Sequence, residues 1–111
     1  MEKFVKGDVV VTPFPFSDLS SSIKRPALVI SNLKGKDLIL CQITSKNHPD
    51  PYQINLLPED FIKGELYINS FIKPLIIFTL RNSIILYKIG KIKKDKIFEV
   101  ENRICDIIRK N

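Results

Sequence analysis

The softer metal ligands are scarce in this chain of 111 residues: one histidine, His48, and two cysteines, Cys41 and Cys105. A structural zinc site needs a cluster of four such ligands, so none is expected. A ribonuclease mechanism built on two histidines is excluded outright. The cysteines are far apart in apolar contexts, one in a predicted strand and one on a predicted helix face. Both are expected as buried free thiols rather than a disulfide. Long apolar runs are also missing, because Lys, Asp or Asn interrupts every stretch that approaches the ~20 residues of a membrane span. Residues 1–6 carry no apolar stretch followed by a cleavage site, so the expected location is the cytoplasm, away from membranes. With no repeat, low-complexity tract or linker, residues 1–111 read as one domain. A chain of this size buries roughly two-thirds of its unfolded surface, enough for a core without staples. Acidic residues are in deficit, 12 against 18 Lys and Arg, giving a net charge of +6 and a pI near 9.4. That balance attracts a polyanion. It equally suits mere solubility, and the Lys excess recurs with Ile and Asn as AT-rich coding produces.

What is present is mostly β-pattern. Residues 7–12 form an apolar, β-branched run that reads as a buried strand, ended by Pro13-Phe14-Pro15-Phe16. Residues 17–22 read as a polar, mobile loop. Residues 26–31 and 37–44 predict two strands joined as a hairpin through a turn at Gly35. A second polar loop over 45–51 leads to residues 52–56, which alternate like a half-exposed strand. Residues 58–61 suggest a turn of helix before Gly64. Two β-rich stretches follow, 66–72 and 76–90, with a break expected near Pro74. From Lys94 to Lys110 the apolar residues Ile97, Val100, Ile104, Ile107 and Ile108 recur at helical spacing. Glu99 with Arg103, and Asp106 with Lys110, add i,i+4 pairs in the favourable order. Five to seven short strands followed by one C-terminal helix indicate a mainly β fold, a small antiparallel barrel.

Chemistry is expected where loops meet strands. Lys24-Arg25-Pro26 stands where the first loop enters the second strand, with Pro26 fixing the backbone after Arg25. A guanidinium presents a planar fork that matches phosphate oxygens. The plainer reading is a solvated or salt-bridged charge. Thr44-Ser45 closes the third strand, and if the hairpin forms, Arg25 and Thr44 lie toward the same end of the sheet. Thr44 can donate its hydroxyl to a phosphate or simply cap its strand. His48, in the second loop, can stack on a base, shuttle a proton or stay solvated. Asp18 can accept a proton near Arg25 or cap a turn.

Several of these segments, taken in order, resemble the MazF/PemK toxins. The blocks are Gly7-Asp8-Val9-Val10, then Lys24-Arg25-Pro26-Ala27-Leu28-Val29-Ile30-Ser31, then Gln42-Ile43-Thr44-Ser45. Residues 70–80, with their Thr-Leu ending, and Lys88-Ile89-Gly90-Lys91-Ile92 before the helix extend the likeness over nearly the whole chain. The resemblance implies an SH3-like barrel of the MazF/CcdB toxin type, assembled as a homodimer with a groove for single-stranded RNA. It implies a sequence-selective, metal-independent endoribonuclease without cofactors, neutralised by a cognate antitoxin protein. The family's catalytic arginine falls on Arg25 and its catalytic threonine on Thr44. Ser22, Lys24, Ser45, Lys46, His48 and Lys73 are the further residues expected along the RNA. One departure stands out: Ile76-Ile77-Phe78 replaces a stretch that is more polar in many relatives, with Lys73 or Arg81 as substitutes. Two alternatives remain at this level, a CcdB-like toxin that binds DNA gyrase and an RNA-binding barrel without catalysis.

Overall fold

A computed structural model describes residues 4–13, 23–46 and 48–111. The strands are β1 (Asp8–Pro13), β2 (Lys24–Leu33), β3 (Asp37–Thr44), β4 (Ile54–Leu56), β5 (Phe61–Gly64), β6 (Ser70–Arg81) and β7 (Tyr87–Ile92). They are followed by the helix α1 (Lys94–Lys110). All pair antiparallel, in the order β4-β6-β3-β2-β1-β7-β5.

The apolar runs of the first three strands are unbroken because the sheet is covered on both faces. Alternation then divides each strand between two cores. Val9, Leu28, Cys41 and Ile43 face one cluster with Ile92, Ile97 and Val100. Val10, Ala27, Val29, Leu38 and Leu40 face the other with Phe4, Phe78 and Ile85.

Chain length forces the sheet to curl. Held flat, seven strands would set the outermost pair roughly 29 Å apart at about 4.8 Å per neighbour. Those outermost strands, β4 and β5, are consecutive in the chain, and the link from Leu56 to Phe61 reaches no more than about 18 Å. The edges are therefore drawn toward each other, and a barrel-like curl results. Gly64 permits the close approach of β5 to β7, with φ of +69° and no room for a Cβ against the backbone of Ile89.

Helix α1 lays Ile97 and Val100 into the first core, with Ile104 packed against its margin. Beyond that point it leaves the sheet, and Ile108 is 71% exposed. Both anticipated intrahelical pairs form, Glu99 with Arg103 at 4.0 Å and Asp106 with Lys110 at 3.7 Å. Among the described residues, no helix is long and apolar enough to cross a membrane.

Four expectations are corrected. Pro74 does not end a strand: β6 runs through it, and the irregularity is a bulge between Gln42↔Lys73 and Cys41↔Ile77. A proline fits there because the ladder is already interrupted. The stretch 66–72 is strand only from Ser70, and 76–90 is broken by a short helical turn over Asn82–Ile84. The short strand β5 was not anticipated, because Phe61-Ile62-Lys63-Gly64 is too brief to show a period. Cys105 is exposed, whereas Cys41 is buried as expected. The first polar loop, with Asp18 and Ser22, lies outside the described residues.

Candidate active site

Hairpin register assembles the site. Ala27 stands opposite Gln42 at the end of the β2–β3 ladder, and Arg25 and Thr44 lie two residues beyond that pair on their own strands. On the other side of β2, Arg25 is paired with Thr12 of β1. Thr12, Arg25 and Thr44 thus form a row across three neighbouring strands, at the end of the sheet away from the Gly35 turn. Thr12 is fully buried and its hydroxyl donates to the Arg25 carbonyl at 3.5 Å, which holds the arginine backbone.

The row opens into a pocket of about 270 Å³. Arg25, Pro26, Ile43, Thr44 and Ser45 supply one side, and Leu66, Tyr67, Ile68 and Ser70 the other. The second wall is tied down by the Ser70 hydroxyl, which donates to the Ile68 carbonyl at 2.8 Å. Thr44 is mostly buried, and its Oγ1 accepts the Lys46 N–H at 3.1 Å. With that lone pair occupied, the Thr44 hydroxyl proton is left to donate elsewhere. A planar cation and a hydroxyl donor at one small opening make a phosphate-sized recognition point.

The loop after Thr44 is anchored by Lys73. Its ammonium reaches Asp50 Oδ2 at 2.6 Å, the His48 carbonyl at 2.9 Å and Gln53 Oε1 at 3.2 Å. Asp50 also accepts the Tyr52 N–H at 2.7 Å. Burial pushes the Asp50 carboxyl up, but the hydrogen bonds from Lys73 and Tyr52 and the ammonium charge outweigh it, and the net direction is down. Beneath the clamp, the Cys41 thiol donates to the Lys73 carbonyl at 2.9 Å. Burial pushes that thiol up to about 12, more than the hydrogen bond lowers it.

The profile of the PemK-like, MazF-like toxins of type II toxin–antitoxin systems matches residues 5–108. The chain belongs to this family. No protein of curated function matches it in sequence. Among solved structures, a mycobacterial endoribonuclease in complex with its cognate antitoxin superposes with a TM-score of 0.74 at 14% identity, over 96% of this chain and 95% of that one. MazF from Deinococcus radiodurans gives 0.71 at 20% identity, over 94% of each chain. The Mycobacterium tuberculosis toxin MazF-mt6 gives 0.70 at 12% identity, over 91% and 95%. At such identities the likeness establishes the fold: antiparallel strands in a curled sheet with one C-terminal helix.

In this MazF-like chain the expected site residues separate into three groups. Arg25, Thr44 and Ser45 line one pocket. Lys24, Lys46 and His48 are exposed beside it, on the strand end and the following loop. Lys73 is a correction: it is 7% exposed, and all three of its protons are directed at protein oxygens. It holds the loop and has no donor left for RNA. Arg81 cannot substitute either, since it pairs with Asp37 beside the Gly35 turn, at the opposite end of the sheet. Packing explains two residues of the Ile76-Ile77-Phe78 stretch, because Phe78 is in the second core and Ile76 lies against it, whereas Ile77 is exposed. Sequence reasoning missed Thr12, Tyr67, Ile68 and Ser70. The only hint was Gly64, which marks a chain reversal before this wall.

Proposed function

We propose that this chain is a metal-independent endoribonuclease that cleaves single-stranded RNA as the toxin of a toxin–antitoxin pair. The observation that carries the reading is the shared opening at which Arg25 and Thr44 meet. The RNA's 2′-hydroxyl attacks the adjacent phosphorus and the P–O5′ bond breaks. The products are a 2′,3′-cyclic phosphate and a 5′-hydroxyl, so the proton lost from one oxygen is balanced by the proton gained by the other. Arg25 stabilises the charge of the pentacoordinate phosphorus and assists protonation of the leaving oxygen, and Thr44 donates to a non-bridging oxygen. The reaction calls for no metal, because the cation is built into β2. An unpaired strand is required so that the ribose can swing into line. Cytoplasmic action on mRNA, a homodimeric assembly and a neutralising antitoxin with an acidic segment complete the proposal. A mycobacterial endoribonuclease of this fold is found in complex with its cognate antitoxin, and D. radiodurans MazF with MazE, which supports the last of these.

The test is to incubate the purified protein with a long RNA in EDTA and sequence the new ends. New 5′-hydroxyl ends are expected. Arg25→Ala and Thr44→Val should each lower the rate by ~10²–10³ while leaving the fold intact. Full activity of Arg25→Ala would remove the mechanism. Gyrase inhibition, or RNA retention without new ends, would favour the gyrase-binding or inactive-barrel alternatives.

A further inference from the structure

The pocket holds more than a phosphate contact needs. Beside Arg25, Thr44, Ser45 and Ser70 its lining is apolar: Pro26, Ile43, Leu66, Ile68 and the ring of Tyr67. Tyr67 is 96% exposed, and Ile68 beside it is 64% exposed. Large side chains left this open have no part in either core, and water is an unfavourable neighbour for them. The Ser70-to-Ile68 hydrogen bond ties the backbone at Ile68 to the start of β6. The Ser70 hydroxyl proton is committed there.

We propose that Tyr67 and Ile68 form the outer wall of a nucleobase slot, in which the base next to the cleaved phosphate stacks on the Tyr67 ring. The proposal rests on the nuclease reading and assigns the base side of the same opening. An aromatic plane and an aliphatic wall beside a cation suit a nucleotide: the phosphate meets Arg25 and Thr44, while the π-face meets the ring. Direct edge readout is weak in this slot, where Ser45 and the Tyr67 hydroxyl are the polar groups at hand besides Arg25, Thr44 and the committed Ser70. Stacking then favours purines modestly over pyrimidines, and sequence selectivity is set mainly elsewhere. Ordering the base also restrains the ribose, so stacking assists the in-line alignment that cleavage needs.

The protein has three tyrosines and no tryptophan, so ring stacking can be read in tyrosine emission. Oligodeoxynucleotides, which lack the 2′-hydroxyl, serve as uncut probes and are titrated by anisotropy and by emission quenching. Tyr67→Ala should weaken binding by roughly tenfold or more and remove most of the quenching. Tyr67→Phe should restore affinity, because the ring carries the contact. Moving a single abasic nucleotide along the probe should reveal one position where base loss matters in the native protein and not in Tyr67→Ala. Equal affinity of Tyr67→Ala and the native chain, or an abasic penalty unchanged by the mutation, overturns the slot. The two readings fail separately. Cleavage that needs Arg25 but ignores Tyr67 sinks the slot alone, whereas Tyr67-dependent binding without any cleavage sinks the nuclease alone.

Discussion

The two thiols of this protein are set to behave differently. Cys41 is buried between β2 and β6, with its pKa pushed to about 12, so almost none of it is thiolate at neutral pH. Cys105 is exposed on α1. A thiol reagent at pH 8 should titrate one cysteine per folded chain and two after denaturation. Rapid modification of both in the folded protein would contradict the burial of Cys41. Lys73 and Asp50 make a second residue-scale test. Their side chains are only 9% and 19% exposed, so removing one partner strands the other in a poorly solvated place. Lys73→Ala should cost about 2–4 kcal/mol in urea unfolding and loosen the loop behind Thr44. Because the Asp50 carboxyl is lowered on folding, its contribution is fully present above the ordinary carboxylate value near 3.9. It is lost as pH falls through the lowered folded value. The stability gap between the native chain and Asp50→Asn should therefore narrow below about pH 4 and stay level from pH 5 to 7.

At the scale of elements, α1 is divided along its length. Its first half is part of the core, with Val100 fully buried, while its last turn is exposed at Ile108. Val100→Ala should cost about 1–3 kcal/mol by cavity formation, whereas Ile108→Ala should stay within about 0.5 kcal/mol. A large cost at Ile108 under dilute conditions would mean that a partner subunit covers it. The helix was legible beforehand because its stripe keeps one period for about three turns and no proline interrupts it. The hairpin of β2 and β3 was legible for a similar reason, two β-branched runs around a glycine turn. β6 was not. Its proline sits in a bulge, and no local pattern separates a bulge from a strand end.

At the scale of the whole molecule, the surplus of six positive charges gives RNA binding a strong salt dependence. For a single strand, the slope of log K against log salt is about −0.7 per phosphate contact. Arg25→Ala should flatten the slope by about that amount, one contact, while Lys73→Met should leave it unchanged if the protein still folds. Anisotropy titrations at several salt concentrations measure both. An altered slope for a folded Lys73→Met would return that lysine to the RNA surface.

Taken by itself, the amino-acid sequence determined the antiparallel β character, the C-terminal helix, the β2–β3 hairpin and the closeness of Arg25 to Thr44. Each of these follows from local periodicity or from a turn between neighbouring strands. Tertiary structure alone decided the roles of Lys73, Arg81, Tyr67 and Cys105. Lys73 meets Asp50 only because β6 carries it beneath the loop after β3, and Tyr67 shares a pocket with Arg25 because β6 pairs with β3 and sets Phe71 opposite Thr44. Residue type and spacing do not encode such long-range placements, since a lysine pattern reads the same whether its ammonium meets water, RNA or a buried carboxylate.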